Sequence, residues 1–439
     1  MLVSFSLENW KSFKNEATFS LIASKERSFR EHLPYISKHR LRVLPFAAVY
    51  GANASGKSNL FQALSFVRQF VLDGTRPDAQ TGTIPFLLDP DMEDRPSRFS
   101  LTIIPHDLEH PDWIYEYSFS VTRREVVEER LRCFTSSSET VLYERSMGKT
   151  TFSPRIQAKE GGERYAFVAA GTRPNQLFLT NSVFQNIEDF KVVYDWFQYS
   201  LAVIAPDSKY VGPALRHREG PLYRSIETFL NQLDTGIIGL EQEKTVVPDA
   251  MVKLLEKNLE EKEDISIPTM EGDRLFASRG KNGELEVSRL MALHRRSDGE
   301  KIRFRFSQES DGTNRLLDLL PAFARFTPQN ANEPQVFVFD EIDRSLHTAL
   351  LQHLIEDYLQ KCSPDSRWQF LVTTHDVCLM DQNLLRRDEM WLTERDENGV
   401  SSLVSIGDFE KIRADLDVGR HYLLGRMGGI PRLRTLRSR

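Results

Sequence analysis

The octapeptide GANASGKS sets Gly51, Gly56, Lys57 and Ser58 at the spacing G-x-x-x-x-G-K-[ST]. Glycines at those two positions let the backbone turn its N–H groups inward around phosphate oxygens, and a helix that follows adds its positive end. Lys57 would bridge the outer phosphates of a nucleotide, and the Ser58 hydroxyl would bind Mg²⁺. Ala52, Asn53, Ala54 and Ser55, with Asn59 behind them, complete the expected cradle. Far downstream, QVFVFDEIDRSLH carries an apolar run straight into Asp340 and Glu341. Asp340 is suited to hold Mg²⁺, directly or through water, while Glu341 can orient or deprotonate an attacking water. His375 closes a second apolar run, QFLVTTHD, and is placed to contact a terminal phosphate.

These side chains need a layered sheet to bring them together. RVLPFAAVYGANASGKSNLFQALSFVRQF passes from an apolar strand through the glycine loop into a helix. Leu60, Leu64 and Val67 share one face of that helix, and Gly74 marks its end. Continuous apolar runs before Asp340 and His375 suit central strands buried on both faces. Acids at the C-terminal ends of such strands lie where open α/β sheets bind ligands. Val3, Phe5 and Leu7 alternate as an early strand, and WIYEYSFSV sends Trp113, Tyr115, Tyr117, Phe119 and Val121 to one side of another. Residues 1–180 are therefore expected to form an N-terminal lobe with a β-rich part, and 181–300 a mainly helical insertion that includes the charged stretch KLLEKNLEEKEDIS. Strand–helix alternation from 301 to 439 predicts a second α/β lobe. No heptad pattern sustains a coiled coil, and no internal repeat is present.

Composition excludes several classes. The 439 residues are 40% hydrophobic and 27% charged, which fits a globular chain with a large core. No apolar stretch approaches the roughly 20 residues needed to cross a bilayer, so no membrane partner is expected. MLVSFSLENW lacks the form of a secretory signal, and three scattered cysteines (Cys133, Cys362, Cys378) offer no disulfide framework, so a cytoplasmic setting is expected. A net charge of -6 argues against whole-molecule attraction to nucleic acid. The tail PRLRTLRSR, with Arg432, Arg434, Arg437 and Arg439, is one local basic candidate, and a solvated end is the bland alternative. No N-K-x-D sequence supports guanine recognition.

ESDGT, residues 309–313, reads at first as a helix start, with Ser310 or Asp311 as cap and Gly312 allowing a tight turn. Its place between the phosphate loop and FDEID suggests more. The order of motifs (phosphate loop, ESDGT, FDEID, TTHD) resembles the ABC-type ATPases related to the SMC and RecF DNA-repair proteins. More closely, LENWKSFKNEATFSL, VYGANASGKSNL, HRRSDGEKIRFRFSQESDGTNRLLDLLP, DEIDRSLH, TTHDVCLMDQNLLRRDEMWL and YLLGRMGGIP resemble the RloA/AbiL-type ATPases of bacterial abortive-infection and restriction-linked systems. The resemblance covers both ends of the chain and little of the middle third. It implies an α/β fold, an ABC-type (SMC/RecF-like) P-loop ATPase head with a mixed β lobe, a central parallel sheet and a helical insertion. It also implies ATP and Mg²⁺ as cofactors, with Lys57, Glu341 and His375 as catalytic residues. Ser310, Asp311, Gly312 and Thr313 would then take the place of the family's serine–glycine signature and face ATP bound to the opposite copy of a head-to-tail dimer, or of a higher oligomer. By the same resemblance Asp343 and His347 would lie along the dimer seam, and Lys11 and Lys14 near ribose or base.

The leading expectation is an ATPase that controls a separate effector, a Toprim-like or other nuclease or toxin, in anti-phage defence. Only about sixty residues follow His375, which leaves no room for a typical nuclease domain in this sequence. A RecF/SMC-like clamp that acts on DNA directly is the alternative, and it would need a basic face. A transporter's nucleotide-binding subunit fits less well, because the distance from phosphate loop to signature is long for that class.

Overall fold

The computed structural model describes residues 1–158, 162–206, 220–259, 264–269, 272–280, 282–327, 333–409 and 417–430. The basic tail residues Arg432, Arg434, Arg437 and Arg439 lie outside them. The chain divides into two compact units. The first comprises Met1–Ala205, Pro328–Ile342 and Leu359–Arg439, and the second Pro206–Thr327 and Asp343–Tyr358.

In the first unit, six strands form one sheet in the order Leu201–Ile204, Gln335–Phe339, Trp368–Thr373, Phe46–Tyr50, Met390–Arg395 and Ser401–Ser405. The first five run parallel and only the last is antiparallel. Phe46–Tyr50 and Trp368–Thr373 are buried at every residue, as their unbroken apolar runs require. Seven antiparallel strands make the second sheet, with Ile114–Val121 among them; Tyr115, Tyr117, Phe119 and Val121 are buried and Glu116 and Ser118 only partly so. The helix Lys57–Asp73 ends at Gly74, whose φ of 63° is a conformation glycine adopts without strain. Its Leu60, Leu64 and Val67 join one core with Val49, Val338 and Leu371 of the first sheet and Tyr117 and Phe119 of the second. Each such side chain contributes roughly 1.5–3 kcal/mol by leaving water. That burial fixes the helix, and with it the phosphate loop at its start.

The segment carrying Glu26 and Ser28 is fastened within the same unit through Arg386. Its guanidinium donates to both oxygens of Asp388, at 2.9 and 2.7 Å, and to the carbonyls of Glu26 and Ser28. Next to it, Glu389 is almost wholly buried, and its Oε2 accepts the Arg386 backbone N–H at 2.9 Å. Burial raises the Glu389 carboxyl from its ordinary 4.5 to about 8, against that hydrogen bond. Between those two values the folded chain binds a proton that the unfolded chain has released, so this contribution to stability is full below 4.5 and is lost as pH climbs through 8. Glu389→Gln, which stays neutral, should raise the melting temperature by a few degrees at alkaline pH and change it little at pH 5, by differential scanning fluorimetry. Equal shifts at both pH values would contradict the buried neutral acid.

The second unit corrects the expectation of a mainly helical insertion at 181–300. Helices Pro221–Gln232 and Asp249–Asn258 are present, the latter running into the start of the charged stretch. Strands Gly239–Lys244, Asp264–Pro268, Arg274–Arg279 and Leu285–Arg295, joined by Lys301–Arg305, nevertheless build a five-stranded antiparallel sheet. LEVSRLMALHR is rich in helix formers, yet cross-strand pairing on both sides holds it extended. The lobe boundaries are corrected as well. Residues 301–439 are not one lobe, since Gln335–Phe339 and Trp368–Thr373 hydrogen-bond into the sheet that holds Phe46–Tyr50, whereas Asp311–Arg325 belongs to the second unit.

Candidate functional site

The strand Phe46–Tyr50 delivers the chain into the loop 51–56, and Lys57–Asp73 begins directly after it. Gly51 has φ +150°, and a Cβ there would lie 2.5 Å from both Thr393 O and Thr393 Oγ1. Gly56 has φ +120°, and its Cβ would meet Ser401 Oγ at 2.6 Å. Both glycines are therefore needed for conformation and for space. Ala54 also takes a left-handed φ of 61°. The helix that follows has no side-chain cap, so its first-turn N–H groups have no side-chain acceptor of the usual N-cap kind.

Lys57 is 6% exposed, and its Nζ donates to Gly51 O at 2.8 Å and Ala52 O at 3.2 Å. Ser58 Oγ donates to Asp340 Oδ1 at 3.2 Å. Asp340 directly follows the strand Gln335–Phe339 and is buried, with its backbone N–H on Ile204 O. A cavity of about 370 Å³ is lined by Asn53, Ala54, Ser55, Gly56, Lys57, Ser58, Asn59, Glu341 and His375. Nine residues from three separate stretches thus share one space, with Asp340 joined to its Ser58 wall. Glu341 occupies a left-handed φ of 51°, an uncommon conformation for a non-glycine residue.

The donor set fits a magnesium-bound nucleotide. Ser58 hydroxyl and Asp340 carboxylate are hard oxygen donors already in contact, the pairing Mg²⁺ takes alongside phosphate oxygens. Among the described residues no cluster of three or more His, Cys, Asp or Glu forms a metal cage. No helix of the described residues is long and apolar enough to cross a membrane.

The remaining predicted residues divide between the two units. Ser310 caps the helix Asp311–Arg325, its Oγ accepting Thr313 N–H at 3.1 Å and lying 2.9 Å from Thr313 Oγ1. Gly312 has no room for a side chain, since a Cβ would approach Ser345 O to 2.7 Å. Asp311 is exposed at the start of that helix. The capping reading of ESDGT is thus realised within the second unit. Asp343 and His347 belong to that unit too, and Ala349 N–H donates to His347 Nδ1 at 3.2 Å. Lys14 pairs with Asp89 at 2.6 Å and Lys11 donates to Gln62, so both lysines are engaged inside the first unit.

Several residues that hold the loop escape reading from sequence. Ser55 Oγ lies 2.5 Å from Thr393 Oγ1, which in turn donates to Tyr50 O. Ser401 Oγ donates to Ser55 O at 2.6 Å and lies 2.8 Å from Ser12 Oγ, which accepts from Asn59 Nδ2. The glycine turn of YLLGRMGGIP comes up against the same loop: a Cβ on Gly429 would sit 3.8 Å from Gly51 Cα, and Tyr422 OH donates to Gly429 O. That motif could be picked out in the sequence, but nothing there said what it touches.

No curated protein matches the chain. Solved structures similar to it include an Smc head bound to the C-winged helix domain of ScpA (15% identity, TM-score 0.41), the SMC head domain from Thermotoga maritima (15%, 0.35), and an Smc head with an extended coiled coil bound to the C-terminal domain of ScpA derived from Pyrococcus furiosus (14%, 0.38). Each alignment covers 92% of this chain, and 97%, 98% and 96% of the respective structures. The expected α/β P-loop class rests on the sheet order and loop described above. Residues 46–381, which include the phosphate loop, the acidic strand end and His375, match the family model described as "AAA domain, putative AbiEii toxin, Type IV TA system", and the chain belongs to this AAA-domain family.

Proposed function

We propose that this protein is an ATPase of the RloA/AbiL type that binds and hydrolyses ATP between two head-to-tail copies and thereby controls a separate effector. The observation that carries the reading is the convergence of Asn53–Asn59, Glu341 and His375 on one cavity, with Asp340 bonded to Ser58 beside it. In this reading the loop N–H groups and Lys57 hold the phosphates, and Ser58 and Asp340 hold Mg²⁺. Bound there, Mg²⁺ supplies positive charge against the phosphate oxygens. Glu341 takes a proton from water as its oxygen attacks the terminal phosphorus and the bond to the ADP oxygen breaks. His375 contacts the terminal phosphate, and the Ser310–Thr313 turn of the second copy closes the site. ATP then stabilises the pair, and its hydrolysis loosens it.

The family description's link to a toxin–antitoxin system supports a partner effector. Purified protein should hydrolyse ATP yet leave DNA and RNA uncut when incubated alone. Nuclease activity that persists through repurification and survives Glu341→Gln would contradict effector control by a separate chain. ATP-dependent, salt-sensitive DNA binding in the same preparation would favour the clamp alternative.

A further inference from the structure

Thr373 ends the strand Trp368–Thr373 and is fully buried. Its Oγ1 lies 2.5 Å from Asp340 Oδ1 and 2.7 Å from the Glu341 backbone nitrogen. A backbone N–H can only donate, so the hydroxyl accepts from Glu341 and gives its single proton to Asp340. Both directions of this one hydroxyl are therefore fixed by geometry. Asp340 Oδ1 receives Ser58 as well, so two donors orient its carboxylate.

The same residue holds the backbone of Glu341. Glu341 has φ 51°, a conformation that is strained for a non-glycine residue and persists only where the surroundings hold it. Glu341 N–H bonds Thr373 Oγ1, and Ile342 N–H bonds Thr373 O at 3.0 Å. Two successive amides at the acidic strand end are thus pinned by one threonine on the neighbouring parallel strand. We propose that Thr373 is a positioning residue for ATP hydrolysis, setting the carboxylate of Asp340 and the backbone of Glu341 together. The inference rests on the ATPase reading above, and goes beyond it in naming a residue outside the cavity lining whose hydroxyl holds both Asp340 and Glu341.

Thr373→Val keeps the shape and removes both hydrogen bonds, whereas Thr373→Ser keeps the hydroxyl. In Thr373→Val, turnover should fall about 100-fold while binding of a fluorescent ATP analogue with Mg²⁺ changes no more than about threefold. The Mg²⁺ concentration that half-saturates analogue binding should rise about tenfold, since Asp340 loses an orienting donor. Thr373→Ser should stay within about threefold of wild type in every readout. Wild-type turnover in Thr373→Val, or a Thr373→Ser protein as slow as the valine variant, overturns the assignment and leaves the ATPase reading standing. Should the valine variant fail to fold, the serine variant alone decides, since its loss of turnover would show that the hydroxyl is not what matters. A wild-type protein that binds no ATP overturns the ATPase reading, and this assignment with it.

Discussion

Lys57→Ala should reduce binding of MgATP by about 100-fold or more, putting it beyond a micromolar binding assay. Lys57 is buried among loop carbonyls, so its ammonium is screened little by solvent. Removing it deletes charge-assisted hydrogen bonds to phosphate, each on the order of 1.5–3 kcal/mol. It also leaves Gly51 O and Ala52 O without the Lys57 donor, at a smaller cost to stability. Isothermal titration with MgATP, paired with a melting curve to confirm folding, checks the result. Unchanged affinity in a folded variant would remove the phosphate loop from the site.

Glu341→Gln should behave in the opposite way, retaining MgATP while turnover falls about 10²–10⁴-fold, the usual worth of a positioned general base. Glutamine keeps the side chain's size, and the Glu341 N–H bond to Thr373 Oγ1 that holds the left-handed backbone is untouched by the exchange. The phosphate contacts at Asn53–Asn59 therefore survive while the proton acceptor is lost. ATP that binds and is not consumed should let dimers accumulate, visible as a doubled mass in sedimentation with ATP and a single mass without it. Wild-type turnover in this variant would show that Glu341 is not the base.

Much of the site could be read in the sequence because its signals are local. GANASGKS places its glycines, lysine and serine within eight residues, and FAAVY before it and the Leu60, Leu64, Val67 face after it supply strand and helix. VFVF leading into Asp340 and Glu341 carries the same kind of signal. Contacts made at long range were not legible. Thr393 and Ser401 brace Ser55 across 338 and 346 residues of chain, and serine and threonine in strands advertise nothing about their partners. Thr373 was visible within VTTHD as an ordinary strand residue, and its role exists only because a parallel neighbour brings Asp340 beside it.

The second unit departs from its local sequence pattern for a different reason. Residues 285–295 combine Leu, Met, Ala, Glu and Arg, whose intrinsic preference is helical, while pairing with 239–244, 274–279 and 301–305 makes them a strand. ESDGT was legible as a helix start, and Ser310 does cap Thr313 N–H. Whether that turn also serves a second copy is a matter of assembly, which local pattern does not encode.

The most direct measurement is a structure of Glu341→Gln with MgATP in solution-assembled dimers. The phosphates should lie within the loop 51–59 of one copy, with the Ser310 turn of the other against the terminal phosphate. A dimer whose Ser310 turn lies apart from every phosphate, or a nucleotide bound outside that loop, would contradict it.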